Sequence, residues 1–390
     1  MNETIVQRGY IDERARGEYL RLAVGMFLVS FTTAHSTLLS IVFARDGYDL
    51  HAIGLLLSSM AVPIILFALF SSEFSARLGV VPTLRLAMLL CLVGFGSLYY
   101  TRTDFTLALA SRCVQGAGQG LFLAAAITYG QSRLSPNRFL FLLGVFSATM
   151  PLAQAVAPAI GEFTLNRFGP GAMFAVAVVP GIVGLFLSAN LRALPKPPQA
   201  RGLDLVNSWR RSFIEPVLAV IVAGSMFGFA TSYLAPALEM RGIAVGAFFT
   251  ASTTTMFATR AFAFRRVEDA NKRFLVAAGL ALEALGFVAV TYAGRHASLV
   301  VGAGVVFGLG HSLIYPVLAA LMSEGIDPSQ RSGSQAWLNA GFNTGIYATP
   351  LPQALLVAQG GYEATMLALA IVAAAAAVAL FARGVVVGGR

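Results

Sequence analysis

Residues 107–127 read LALASRCVQGAGQGLFLAAAI, an apolar run whose one charge is Arg112. Roughly 20 such residues are what a helix needs to cross a hydrocarbon core ~30 Å thick. A guanidinium at that depth costs at least ~2.5 kcal/mol, so it faces a bundle interior or a wet cavity and marks a pathway. A purely structural role, tying the helix to backbone carbonyls, is the alternative.

The surrounding sequence has the same character. The chain is 57% hydrophobic and 12% charged, with a mean hydropathy of +0.74, far more apolar than a soluble domain. Twelve runs are long enough to span, at about 22–44, 52–71, 83–100, 105–131, 139–163, 171–191, 214–236, 244–263, 274–293, 298–322, 333–357 and 362–382. We number them spans 1 to 12. They lack the period-two alternation of barrel strands, so the expected fold is an all-α membrane protein of twelve transmembrane helices.

Charge placement tests the count, because Lys and Arg collect in cytoplasmic loops. With both termini cytoplasmic, twenty of the 27 basic residues fall in the tails and even-numbered loops, five fall on the other side, and Arg112 and Arg260 lie inside spans. The net charge of +9 follows from this bias and calls for no nucleic-acid partner. The N-terminal tail is polar and of mixed charge, unlike a signal peptide. Cys91 and Cys113 both fall within spans and suggest neither a disulfide framework nor a metal site.

The segment 192–213 is rich in proline and basic residues and separates residues 1–191 from 214–390, six spans on each side. The halves repeat. Gly116, Gly118, Pro136 and Pro158 recur 192 positions later as Gly308, Gly310, Pro328 and Pro350. Two duplicated six-helix bundles joined by a linker imply a rocking, pseudo-symmetric architecture.

On these residues the chain resembles the major facilitator superfamily along its whole length. Arg112-Cys113-Val114-Gln115-Gly116-Ala117-Gly118 matches the family's R-x-x-Q-G-x-G signature at every specified position. Ala157-Pro158-Ala159-Ile160-Gly161-Glu162 resembles the G-P-x-x-G-G motif of antiporters, with Ala157 and Glu162 in place of two glycines. The loop after span 2 keeps Arg77 and Gly79 of its motif and lacks the motif's aspartate, with Glu73 nearby. The resemblance implies that spans 1, 4, 7 and 10 line a central cavity, that 3, 6, 9 and 12 face lipid, and that Arg77, Gly79, Pro158, Gly161 and Arg260 act in gating.

Within that map, Arg112, Gln115 and Gln119 share one face of span 4. The offset of 192 puts His311 opposite Gln119, with Tyr315 one turn further along span 10, and His35 joins them from span 1. His35 and His311 are the titratable groups available on cavity helices, hence the candidate proton carriers. On span 11, Gln335, Asn339 and Asn343 recur every four residues, to bind solute or to bridge helices. Glu283 is a carboxylate on span 9 that the sequence leaves protonated, turned inward or at a packing contact. Candidate solute-binding residues are therefore Arg112, Gln115, Gln119, His311, Tyr315, Asn339 and Asn343.

No hydrolase triad, HExxH or P-loop motif is present, so an enzyme, a cofactor and a metal are not expected. The expected function is proton-coupled secondary transport of a small polar or anionic solute by a monomer in the bacterial inner membrane, with efflux favoured by the span 5 motif. Uptake by the same fold, and a non-transporting receptor or assembly factor, are the alternatives.

Overall fold

Each apolar run becomes helix, and polar or glycine-containing breaks fall between them. A computed structural model describes residues 13–133, 136–194, 209–260, 271–326 and 331–388, with no strand among them. Span 1 runs Glu13–Ala34, tightens into a 3-10 turn at His35–Leu38 and continues as Leu39–Arg45. Span 2 comprises Leu50–Ser58 and Ala61–Leu69, and a short helix, Ser71–Leu78, leads into span 3 at Val80–Thr101. Spans 4, 5 and 6 are Phe105–Arg133, Pro136–Phe168 and Pro170–Ser188. Spans 7, 8, 9 and 10 are Ile214–Glu239, Val245–Ala258, Lys272–Tyr292 and Ala297–Ser323. Span 11 begins as Arg331–Ala348 and resumes at Pro350, and Gly361, at φ 80° and ψ 173°, separates it from span 12 within Pro350–Gly388. Only glycine holds that backbone region without strain. Most of the expected linker, and residues 261–270 after span 8, lie outside the described residues.

The turn in span 1 has a local cause. Thr37 Oγ1 donates to the Ala34 carbonyl at 2.8 Å and His35 Nδ1 to the Phe31 carbonyl at 2.8 Å, so side chains compete with the helical ladder.

Lipid is as apolar as leucine, so helices here are held by close packing rather than by a hydrophobic drive. Small residues supply it. A Cβ at Gly116 would lie 2.9 Å from the Met60 carbonyl of span 2, and one at Gly118 would lie 2.5 Å from the Cys91 nitrogen of span 3. In the second bundle Gly308 meets Ser252 of span 8 and Gly310 meets Gly279 and Glu283 of span 9. Span 4 thus sits on spans 2 and 3 as span 10 sits on 8 and 9. Large apolar side chains left exposed, such as Val93, Phe186, Leu285 and Ile371 on spans 3, 6, 9 and 12, form the lipid surface.

We call the end where span 1 starts and span 12 finishes the terminal face, and its opposite the far face. Among the described residues, hydrogen bonds between the bundles run from the far face to mid-depth. Arg45 and Glu239 pair at 2.5 Å across spans 1 and 7. Glu162 of span 5 accepts the backbone N–H groups of Val245 and Gly246, both at 3.2 Å, at the first turn of span 8. Thr250 Oγ1 donates to the Ala155 carbonyl at 2.7 Å, and the Leu351 N–H donates to Ser58 Oγ at 2.9 Å. The far face is closed.

Candidate functional site

Span 4 carries its polar stripe inward. Arg112 is 2% exposed; Nη1 donates to Gln115 Oε1 at 2.6 Å and to Ser36 Oγ at 3.3 Å, while Nε lies 3.4 Å from the Leu56 carbonyl. Gln115 Nε2 also donates to Ser36 Oγ, at 3.0 Å. Every one of these partners is neutral, and among the described residues no carboxylate pairs with Arg112. One turn on, Gln119 Nε2 donates to the Tyr347 hydroxyl of span 11 at 2.8 Å. The stripe therefore runs from a buried, unneutralised cation to a contact between the bundles.

Span 11 meets it with a ladder of its own. Asn343 Nδ2 donates to the carbonyl and to Oδ1 of Asn339, each at 3.0 Å, and both side chains are half-buried. Tyr347 is the next rung at the same spacing of four. That spacing was the signal for Tyr347, which the sequence reading overlooked because its polar group ends an otherwise apolar ring. Gln335 points elsewhere, donating to the Ala319 carbonyl at 2.9 Å and Ser323 Oγ at 3.0 Å, and so ties span 11 to span 10.

The expected grouping of Gln119, His311, Tyr315 and His35 does not form. His311 turns to span 9, where Nδ1 lies 2.5 Å from Glu283 Oε1. Phe227 and Phe307 stack on its ring at centroid distances of 4.9 and 5.8 Å. Tyr315 packs on Phe342, ring to ring at 5.3 Å. A carboxylate within its own bundle draws the imidazole away from span 4. His35 is fully buried and bonds the Phe31 carbonyl, and its Nε2 has no partner. Its ring fills the space that Gly161 leaves, for a Cβ there would lie 2.5 Å from His35 Cδ2.

The motif positions expected to act in gating are spread around this core. Arg77 pairs with Glu73 at 2.6 Å, one helical turn apart, so the nearby glutamate does engage the arginine of the loop. Gly79, at φ +99°, turns the chain into span 3. Pro158 lies inside continuous span 5 helix, one turn before Glu162. Arg260 is half-buried at the end of described span 8, with Nε 3.5 Å from the Ser312 carbonyl of span 10. Glu162, read from sequence only as a departure from a glycine motif, is 8% exposed and caps span 8.

No curated protein matches this sequence. Among solved structures, the nucleoside transporter NupG, in a variant form, superposes with a TM-score of 0.82 at 12% identity, over 94% of this chain and 99% of that one. A POT peptide transporter superposes with a TM-score of 0.78 at 13% identity, over 93% of each chain. At such identity these establish the fold alone. The sequence profile of the major facilitator superfamily matches residues 22–267 and 217–387. With signature, repeat, fold and profile in agreement over nearly its full length, the chain belongs to the major facilitator superfamily.

Proposed function

We propose that this membrane transporter carries a small anionic or strongly polar solute by alternating access, driven outward by the proton gradient. The observation that carries the reading is the isolation of Arg112, a buried guanidinium with neutral partners only. A cation held that way is costly until an anion or a concentrated dipole meets it. Gln115, Gln119, Asn339, Asn343 and Tyr347 add donors and acceptors along the same two helices, suiting a solute with several hydrogen-bonding groups. The nucleosides and peptides carried by the two structural neighbours are solutes of that polar kind.

The excess of Lys and Arg on the terminal face supports a cytoplasmic orientation for that face. The closed far face is then the outside of a bacterial inner membrane, and the conformation is inward-facing. Residues 192–213 would link two rigid halves, 1–191 and 214–390, that rock about the spans 2–11 and 5–8 contacts. Pro158, Gly161 and Glu162 would act where spans 5 and 8 separate, and Arg77, Gly79 and Arg260 at the terminal face. The outward direction is supported by the span 5 motif. His35 and His311 are the imidazoles available to the proton.

The test is flux in proteoliposomes under an imposed pH gradient, with a panel of nucleosides, dipeptides, sugar phosphates and organic acids. An anionic or polar member should move in native protein and fail to move in Arg112→Ala. Unchanged flux in that variant would overturn the reading.

A further inference from the structure

Glu283 is 0% exposed, at the middle of a helix whose outer surface meets lipid, and its Oε2 has no hydrogen-bond partner. Its Oε1 is 2.5 Å from His311 Nδ1. An ionised carboxylate beside a neutral imidazole would leave a net negative charge buried with one oxygen bare, an arrangement of high cost. One added proton removes that charge by coming to rest on the carboxylate, as neutral acid beside neutral imidazole. We propose that Glu283 and His311 form a proton-binding site on the span 9–10 interface that holds one proton between the two side chains.

Packing does not call for a carboxylate there. Glu283 stands 192 positions after Cys91, and the two occupy equivalent places, Cys91 under Gly118 and Glu283 under Gly310. The first bundle closes the same interface with an uncharged thiol. The acid is thus an addition to the scaffold, and among the described residues His311 is the side chain that bonds it.

Access runs through the imidazole. Glu283 is fully enclosed, whereas His311, with Phe227 and Phe342 against its ring, keeps 4% exposure. A proton arriving at Nε2 makes imidazolium; the Nδ1 proton passes to Glu283 Oε1; a neutral imidazole protonated at Nε2 and a neutral acid remain. Release reverses these steps.

Among the described residues the surroundings are sparse in charge. From span 8, Arg260 Nε lies 3.5 Å from the Ser312 carbonyl. Tyr315 follows one turn along span 10, Tyr233 of span 7 donates to the Pro350 carbonyl, and Tyr347 of span 11 holds Gln119. Charged groups of spans 7, 9 and 12 are engaged at the bundle ends, Glu215 with Arg273 and Arg383, and Arg241 with Glu363. His35 bonds the Phe31 carbonyl within the first bundle and stays outside the site.

That this proton is the one coupled to transport rests on the proposed function; its binding does not, and the experiment separates the two. Purified full-length protein in nanodiscs is stepped through pH and followed by infrared difference spectroscopy for the carbonyl stretch of a buried carboxylic acid. The native protein should show a titrating band that disappears in Glu283→Gln and in Glu283→Cys, the latter copying the packing of Cys91. In His311→Gln its midpoint should move by about 1 pH unit or more, a tenfold change in proton affinity. His35→Gln should leave it in place. Absence of the band in native protein, or its persistence in both Glu283 variants, overturns the site. A band that behaves as expected, in a protein whose flux ignores the pH gradient, sustains the site and removes the proton-coupled reading of transport.

Discussion

Gly118 of span 4 meets the backbone of Ala87 and Cys91, and Gly310 of span 10 meets that of Gly279 and Glu283. Gly94 packs on Gln115, and Gly286 on Phe307. Each second-bundle residue stands 192 positions after its counterpart, so the duplication is kept atom by atom where helices touch. The side chains pointing inward are not kept. Arg112 corresponds to Gly304, Gln115 to Phe307, Gln119 to His311, Cys91 to Glu283 and His35 to Phe227. The first bundle carries an unneutralised cation with amides around it, and the second carries a carboxylate–imidazole pair among aromatic rings. Close packing constrains the glycines because a single methyl group disrupts it. Under the readings proposed above, the charge that meets the solute belongs to the first bundle and the proton site to the second, and rocking one against the other couples them.

The sharpest way to break this comparison is at its cation. Arg112→Ala should lower flux of an anionic solute about 100-fold, the equivalent of ~2.7 kcal/mol for lost charge-assisted hydrogen bonds. Gln115 and Ser36 remain to bond one another, so the melting temperature in detergent should barely change. Arg112→Lys, which keeps charge without the fork, should recover only part of the flux. Full flux with a strongly lowered melting temperature would make Arg112 a structural tie like those of Arg85, which binds the Ser188 and Ala189 carbonyls.

The twin glycines offer a second test, of the scaffold rather than the chemistry. Alanine at Gly118 would place its Cβ 2.5 Å from the Cys91 nitrogen, and alanine at Gly310 2.4 Å from the Gly279 carbonyl oxygen. Each should cost ~1–3 kcal/mol through overpacking, and the two losses, read as shifts in thermal unfolding, should agree. A large difference would show that one bundle relaxes where the other does not, and the equivalence drawn here would fail.

How far the sequence revealed this molecule depended on the range of the interaction. Spans and repeat were legible because hydrophobic length and a constant offset are properties of the chain itself, and the Arg112–Gln115–Gln119 stripe because helical spacing places it. Partners were not legible. The offset placed His311 opposite Gln119, but rotamers follow local charge, and Glu283 captured the imidazole. Tyr347 continued a visible ladder and was passed over for its ring. Glu162 looked like a lost glycine, because its role depends on span 8, more than eighty residues later. The 3-10 turn at His35–Leu38 also went unseen, being set by hydroxyl bonds that compete locally with the helix.

The far-face closure is itself asymmetric between the twin contacts, which a third variant can expose. Gly246 packs on Ala159 as Gly54 packs on Leu351, yet span 2 is capped by its own Asp49, whereas the first turn of span 8 is capped by a carboxylate from the opposite bundle. Such a contact is worth ~1 kcal/mol through the exposed N–H groups and the helix dipole. Glu162→Gln should therefore shift the population toward an open far face by about fivefold. Spin labels at Phe168→Cys and Met240→Cys, both on exposed positions, in a background lacking Cys91 and Cys113, would report it as a longer distance by pulsed resonance. No shift would mean that packing at Gly246 closes this side unaided.

Arg45→Gln should do least. Its ion pair with Glu239 also crosses the far face, but the side chains are 44% and 40% exposed. Exposed pairs lose in side-chain entropy and screening most of what they gain by attraction, leaving no more than ~0.5 kcal/mol. The same spin-label pair should show a change under about twofold, and raising the salt concentration should abolish it while leaving the larger Glu162→Gln effect in place. Equal responses from the two variants would locate the closing force in surface charge and remove the distinction between the buried cap and the exposed pair.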